Sequence, residues 1–580
     1  MKTIHSKTLR PWLTIFSLAI WLAACSTPEK VEMTDSQPAT ELHQAAQVTA
    51  SPVEAGLLVQ EEQKRREQQL KARTLRQKTY QAMSRAGRMI PTISSLELDD
   101  FYSTEVNREN YQHFQNSHII SVTENPVSTF SIDVDTAAYA NVRRFLNQGR
   151  LPPGDAVRAE ELINYFDYQY PQPKNREQAF SVTTEIAPTP WNKNSYLLRI
   201  GLQGYKNQNQ QRPPANLVFL VDVSGSMHSR DKLPLLKSGL KLLIKQLREE
   251  DRISIVSYAG SVAVVLKPTP GNQHAQINMA LDSLTSGGAT NGAGGIQLAY
   301  QMAQQAFIEQ GINRIILATD GDFNVGISDF QQLKQMVSEK RSSGISLSTL
   351  GFGQGNYNDH LMEQLADSAN GNYSYIDNLK EARKVLVEEM GSTLQTIASD
   401  VKIQIEFNPQ QVAEYRLIGY ENRALQREDF NNDKVDAGEI GENHNVTALY
   451  EITLTDSPVR QLEKNRYTVA KVESQKPGYK NELAFLRLRY KPVGSEQSRL
   501  LEYPVYKKDI IDTLDQASAD FRFAAAVAAF AQQLRGAKYL QNFSWSDILQ
   551  LAEQSRARDS SGYRAEFTQL VKLAESLSKS

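Results

Sequence analysis

The residues in this sequence with the clearest chemical potential are Asp222, Ser224 and Ser226, in the stretch LVFLVDVSGSM from Leu217 to Met227. The run begins apolar and branched between polar neighbours, which reads as a buried strand. It breaks into Asp222-Val-Ser224-Gly-Ser226, and Leu236, Leu240, Leu243 and Leu247 then follow at the spacing of one helix face. Three hard oxygen groups therefore stand at the carboxyl end of a strand, where open α/β sheets bind ligands. Two other stretches have related character. GGATNGAGG, Gly287 to Gly295, is a flexible loop that carries Thr290 just ahead of a helix, and RIILATDGDFN, Arg314 to Asn324, is a second strand ending in Asp320-Gly321. As local structure alone, these would be a Ser/Gly turn and two strand-end aspartates capping helices.

Taken in order, DxSxS, then T, then DG form a pattern that resembles the von Willebrand factor type A (VWA) domain with a complete metal-ion-dependent adhesion site. The resemblance implies that Ser224, Ser226 and Thr290 are hydroxyl ligands of a divalent ion, with Asp222 and Asp320 holding it directly or through water. Hydroxyls, carboxylates and waters suit Mg²⁺, with Mn²⁺ or Ca²⁺ as alternatives, because Mg²⁺ takes near-octahedral oxygen coordination and keeps some waters. An ion held mostly by neutral hydroxyls keeps much of its charge, and a carboxylate from another molecule can complete its shell. Such a site docks a partner rather than hydrolysing one.

The expected fold class is α/β. Alternating strands and helices from 216 to 396 imply a Rossmann-like VWA domain, a mostly parallel sheet with helices on both faces. Ahead of it, residues 92–215 form an expected smaller α+β module, in which Asn125 to Pro153 reads as strand, turn and helix and Phe180 to Tyr205 as two strands. Behind it, 397–515 is expected to be β-rich, with antiparallel strands at Val401 to Phe407, Val446 to Thr455 and Leu483 to Val493. Residues 516–580 are expected to be helical, Phe523, Val527, Phe530 and Leu534 making one apolar face. Both flanks resemble the modules that accompany the VWA domain in a group of bacterial lipoproteins.

The amino terminus has the form of an export signal. Lys2, Lys7 and Arg10 precede an apolar stretch from Trp12 to Ala24, too short for a comfortable membrane span. Leu22-Ala23-Ala24-Cys25 resembles a bacterial lipobox, which implies that 1–24 is removed, that Cys25 is lipidated (palmitate among its acyl chains), and, with Ser26 next, that the protein is delivered to the outer membrane facing the periplasm. Several acyl chains at one site give stable anchoring. Cys25 is the single cysteine of the chain, in keeping with an exported protein that avoids spare thiols. Residues 25–56, rich in Ser, Thr, Pro, Gln and Glu, read as a disordered tether, and 57–91 as a charged helical stalk.

Other polar clusters weigh less. Asp133-Val-Asp135-Thr136 is reminiscent of the nucleophile motif of haloacid-dehalogenase-type phosphohydrolases, but no lysine-plus-acidic-pair set follows it, and Asp135 or Thr136 as the cap of a helix starting at Ala137 is the preferred reading. Asp429 to Lys434 mimics the first half of a calcium loop, yet Lys434 stands where Gly is needed and Ile440 where Glu is needed, so a solvated acidic turn is expected. His228 reads as a loop histidine. Asp322 and Asn324 either support the metal site through hydrogen bonds or only form the turn. No GxSxG, HExxH or Walker lysine is present, and the net charge of −2 gives no argument for nucleic acid binding.

The function expected is thus a metal-dependent, adhesion-type lipoprotein of the envelope, capturing a Glu or Asp of a protein partner, and not an enzyme. The alternatives are a metal-dependent hydrolase using the same ion or the Asp133/Asp135 pair, and an envelope scaffold whose metal site is incidental.

Overall fold

The computed structural model describes residues 109–579, apart from 133, 175–177, 207–211, 289–291, 322–329, 342 and 464–478. The expected leader, tether and stalk, with Cys25, lie outside the described residues. In chain order, β1 (Ile120–Ser121) and β2 (Val127–Ser131) precede helices Ala137–Asn147 and Ala159–Asn164, and β3 (Phe180–Thr189) and β4 (Asn192–Gly204) form a hairpin. The central domain contributes β5 (Ala215–Asp222), β6 (Arg252–Tyr258), β7 (Val262–Pro270), β8 (Ile312–Thr319), β9 (Ser346–Phe352) and β10 (Tyr373–Ile376). Then follow β11 (Thr396–Phe407), β12 (Val412–Ile418), β13 (Gly438–Gly441), β14 (Asn445–Leu454), β15 (Glu482–Pro492) and β16 (Arg499–Tyr506), and lastly helices Ala519–Leu534, Trp545–Gln554 and Tyr563–Ser578.

The central sheet runs β10-β9-β8-β5-β6-β7, parallel except where β7 returns antiparallel to β6. Every residue of β5 is buried, as a strand covered on both faces requires. Leu217, Phe219 and Val221 point into a core shared with helices Leu233–Ile244 and His274–Ser283. Val218 and Leu220 point to the opposite core, beneath helices Gly292–Gln305 and Asp359–Ser368. From β5 the chain builds outward through β6 and β7, then crosses back and builds the other way through β8, β9 and β10. The direction reverses between β5 and β8, and the crevice at their carboxyl ends is where such sheets bind ligands.

The flanks differ from the two separate modules expected at 92–215 and 397–515. Their strands share sheets: one is ordered β1-β12-β14-β4-β3, the other β13-β11-β15-β16 with β2 also paired to β11. β4 and β14 match residue for residue from Tyr196↔Ile452 to Gln203↔Asn445. Inward residues of both sheets, among them Phe130, Leu198, Ile200, Ile405, Phe407 and Leu486, form one core. The central domain is therefore inserted into a β-sandwich built from both sides of it in sequence. The carboxy-terminal helices likewise pack with Ala137–Asn147 and Ala159–Asn164 over a common core. Helix Ala519–Leu534 is buried all round from Phe523 to Ala531, not on one face, because alanines let neighbouring elements approach from every side.

Buried ion pairs join the inserted domain to its flanks. Arg143, on helix Ala137–Asn147, donates to Asp377 at 2.8 Å and Glu381 at 2.8 Å in the central domain and to Glu566 at 3.0 Å in the last helix. Arg158 pairs with Glu161 beside it and with Asp359 at 2.5 Å across the junction.

Candidate functional site

Asp222 ends β5 and is fully buried. One of its oxygens accepts the backbone N–H of Ser224 at 2.8 Å, and the other accepts the hydroxyl of Thr319, the last residue of β8, at 2.8 Å. The first bond folds the DVSGS turn back over the strand end, so that the Ser224 and Ser226 hydroxyls lie 3.0 Å apart. The second fixes the strand end to its neighbour. The loop leading to Thr290 is brought to the same turn by backbone bonds, Gly225 N–H to Gly288 C=O at 3.1 Å and Gly287 N–H to Val223 C=O at 2.7 Å. Thr290 itself lies outside the described residues, as do Asp322 and Asn324.

Asp320, also fully buried, directly follows β8. One carboxylate oxygen accepts Lys232 Nζ at 2.9 Å and Asn356 Nδ2 at 3.2 Å. The turn it begins requires glycine: Gly321 has φ +84°, and a Cβ there would stand 2.6 Å from the Asn358 backbone nitrogen. The DG pair is thus a steric condition for the site as well as a chemical one. The structure places Asp222, Ser224 and Ser226 at the carboxyl end of β5 and Asp320 at that of the adjacent β8, and beside them stand Thr319, Lys232 and Asn356, which sequence reasoning missed. Thr319 carried a local signal, being the hydroxyl residue just before the strand-end Asp. Lys232 and Asn356 had none, since their approach to Asp320 depends on how two distant loops fold.

These groups fit a hard divalent cation on their own chemistry. Burial raises the Asp222 carboxyl from its ordinary 3.8 to about 6, the bonds from Ser224 oppose the rise, and the nearby Asp320 adds to it. Two buried carboxylates that repel each other, with two hydroxyls beside them, are relieved by an entering cation. Among the described residues no group of three or more His, Cys, Asp or Glu side chains is arranged for a metal; the donors gathered here are two carboxylates and two hydroxyls. An ion held by Asp222 would have to displace its proton, so metal affinity is expected to fall as pH drops through about 6. Calorimetric titration of Mg²⁺ at pH 7 and pH 5 should show about tenfold weaker binding at the lower pH; equal affinities would remove Asp222 from the site. In the metal-free protein the sign is opposite. A raised carboxyl favours the fold when protonated, and that stability is lost as pH rises through about 6.

The remaining polar clusters have other occupations. Asp135 accepts the Tyr373 backbone N–H at 2.9 Å, across in β10, and Thr136, at the N-cap of helix Ala137–Asn147, makes no side-chain capping bond. Glu161 caps the helix instead, accepting the Ala138 N–H at 2.7 Å, because the tertiary arrangement places a better-aimed carboxylate there. Asp133 lies outside the described residues. In the calcium-like turn, Lys402 Nζ donates to the carbonyls of Asp429 at 3.2 Å and Asn432 at 2.6 Å, and Arg489 at 3.1 Å pairs with Asp433. Side-chain cations thus fill the role a metal would take. His228 is exposed and, among the described residues, its side chain meets Ser286 at 3.2 Å.

Comparison with known proteins gives matches along most of the chain. Family models match at residues 105–199 (von Willebrand factor), 216–388 (von Willebrand factor type A domain) and 392–577 (Uncharacterized protein YfbK, C-terminal). The chain is 50% identical over 475 residues to "Uncharacterized protein YfbK" of Escherichia coli (strain K12), covering 80% of this chain and 81% of that protein. It is 32% identical over 186 residues to "Uncharacterized protein sll0103" of Synechocystis sp., covering 32% of this chain and 43% of that protein. Among solved structures it is similar to a von Willebrand factor type A protein from Catenulispora acidiphila, with 14% identity, a TM-score of 0.38, and coverage of 67% of this chain and 89% of that one.

Proposed function

The chain belongs to the YfbK family of bacterial von Willebrand factor type A domain proteins, and from that premise we propose that it is a metal-dependent protein-binding lipoprotein of the cell envelope. The ion, Mg²⁺ in the first instance, is held by Asp222, Ser224, Ser226, Thr290 and Asp320, and an envelope protein offers it a Glu or Asp. The observation that carries this reading is the gathering of Asp222, Ser224, Ser226 and Asp320 at the point where the strand order reverses. The carboxylates lie at the bottom of the site and Ser226 is exposed at its rim, so an ion seated there has an open side from which a second molecule reaches it. When bound, the ion supplies an uncompensated positive charge; the chain's own residues fix where that charge sits and exclude competing ligands from the buried side.

Anchoring belongs to the same reading. Cys25 carries the lipid, and the protein faces the periplasm from the outer membrane. No helix among the described residues is long and apolar enough to cross a membrane, and the proposal needs none.

Affinity capture tests the whole. A soluble form beginning at Ser26, immobilised with Mg²⁺ present, should retain envelope proteins that EDTA releases, and Ser226→Ala should not retain them. Identical sets on the wild type and the variant would make the protein a scaffold with an incidental site. In cells, Cys25→Ala should move the protein from the membrane fraction to the soluble fraction; unchanged fractionation would refute the anchor.

A further inference from the structure

Lys232 is the one cation in contact with the candidate site among the described residues, and its position is built in. It sits immediately before helix Leu233–Ile244, where its backbone N–H donates to Ser229 and its carbonyl accepts from Leu236. Its aliphatic stem lies against Gly353, at φ +76°, where a Cβ would come within 2.0 Å of the lysine Cε. Only glycine leaves room for that passage. At the end of it Nζ meets Asp320 at 2.9 Å and Asn356 Oδ1 at 3.2 Å, while the Asn356 amide donates to the same Asp320 oxygen. Lysine, asparagine and aspartate therefore close a triangle with the lysine side chain 8% exposed and the aspartate side chain fully buried.

We propose that Lys232 is a permanent counter-cation of the metal site and is what makes the bound ion an acceptor of carboxylate. The inference rests on the metal-site reading above. Asp222 and Asp320 together bring two negative charges; Lys232 cancels one. A divalent ion then leaves the buried centre with one net positive charge, and a single partner carboxylate brings it to neutrality. Without Lys232 the ion alone would neutralise the two aspartates, and an arriving carboxylate would create a buried net negative charge, which is unfavourable at low dielectric. Lys232 thus trades metal affinity for anion affinity. It keeps the ion loosely held and electrophilic.

The test uses the soluble full-length chain beginning at Ser26, with Mg²⁺ and then sodium acetate as probes. In Lys232→Met, Mg²⁺ measured by calorimetry should bind on the order of tenfold more tightly than in wild type. Acetate affinity of the Mg²⁺-loaded protein, read from displacement by titration at constant ionic strength, should fall by a similar factor. Lys232→Gln removes the charge and retains an amide N–H, one atom shorter, on the side toward Asp320, so it should reproduce both changes if the methionine variant folds poorly. Wild type that binds Mg²⁺ while both variants bind it with unchanged affinity would overturn this inference alone. Wild type that binds neither Mg²⁺ nor Mn²⁺ would overturn the metal-site reading on which it stands.

Discussion

Asp222→Asn should abolish saturable Mg²⁺ binding while leaving the metal-free protein as stable as wild type or more so. The two effects separate because Asp222 does two things. As an acceptor it holds the Ser224 N–H and the Thr319 hydroxyl, and the asparagine carbonyl can keep one of these bonds. As a charge it is costly in the empty protein: burial beside Asp320 raises its carboxyl to about 6. A rise of that size corresponds to at most roughly 3 kcal/mol against the ionised form at neutral pH, which the amide does not bear. Metal affinity, in contrast, depends on the charge, and loss of a buried carboxylate ligand should weaken Mg²⁺ by about a hundredfold or more. Calorimetry and thermal melting with and without Mg²⁺ check both halves. Wild type should gain melting temperature with the ion, and the variant should not. A variant that still binds Mg²⁺ with wild-type affinity would sink the assignment.

The second large effect is expected at Arg143→Met. Its guanidinium is 1% exposed and lies between Asp377 and Glu381, which are 5% and 1% exposed. Their cost of burial is met by that one cation: Asp377 is already raised by desolvation, with Arg143 opposing the rise. Removing the arginine strands two carboxylates in the interior, a loss of about 3–5 kcal/mol. It should appear as a shift of the main denaturation midpoint. Because stranded carboxylates favour the fold only when protonated, the variant should recover stability as pH is lowered and lose it as pH rises. Arg143→Met combined with Asp377→Asn and Glu381→Gln should regain much of the loss. Arg487, half-open to solvent and paired loosely with Glu406 at 3.8 Å, is the control, and its methionine variant should shift stability by less than about 1 kcal/mol. Equal costs at the two arginines would show that burial of the Arg143 cluster is not what matters.

The Arg143 cluster also marks where sequence reading stopped. Arg143, Asp377, Glu381 and Glu566 span more than four hundred residues, and nothing in any one segment points to the others. The same holds for β4 and β14. Each shows a strand's apolar pattern, but a pattern says which face is buried and not against which strand. Two modules in sequence therefore became one sandwich in space, with the VWA domain inserted between its halves. At Thr136 the local rule for helix caps gave way to Glu161 from the next helix, because a cap is chosen by aim and not by nearness in the chain.

What the sequence determined by itself was whatever short-range rules control. The apolar run of β5, the DVSGS break after it, the glycine that the Asp320 turn requires, and the alternation of strands with helices fix an open α/β sheet with oxygen donors at its carboxyl edge. Strand ends and turns are set by residues within a few positions of one another, so their chemistry is legible in order. What only the tertiary structure decided was the charge of that edge. Lys232 and Asn356 converge on Asp320 from two segments distant from it in the chain, and Thr319 at the end of β8 reaches across to Asp222 on the neighbouring strand; convergence of that kind follows from how the sheet is ordered and covered. Burial then sets a lysine ammonium 2.9 Å from one of two neighbouring buried aspartates, where charges interact more strongly than they would in water.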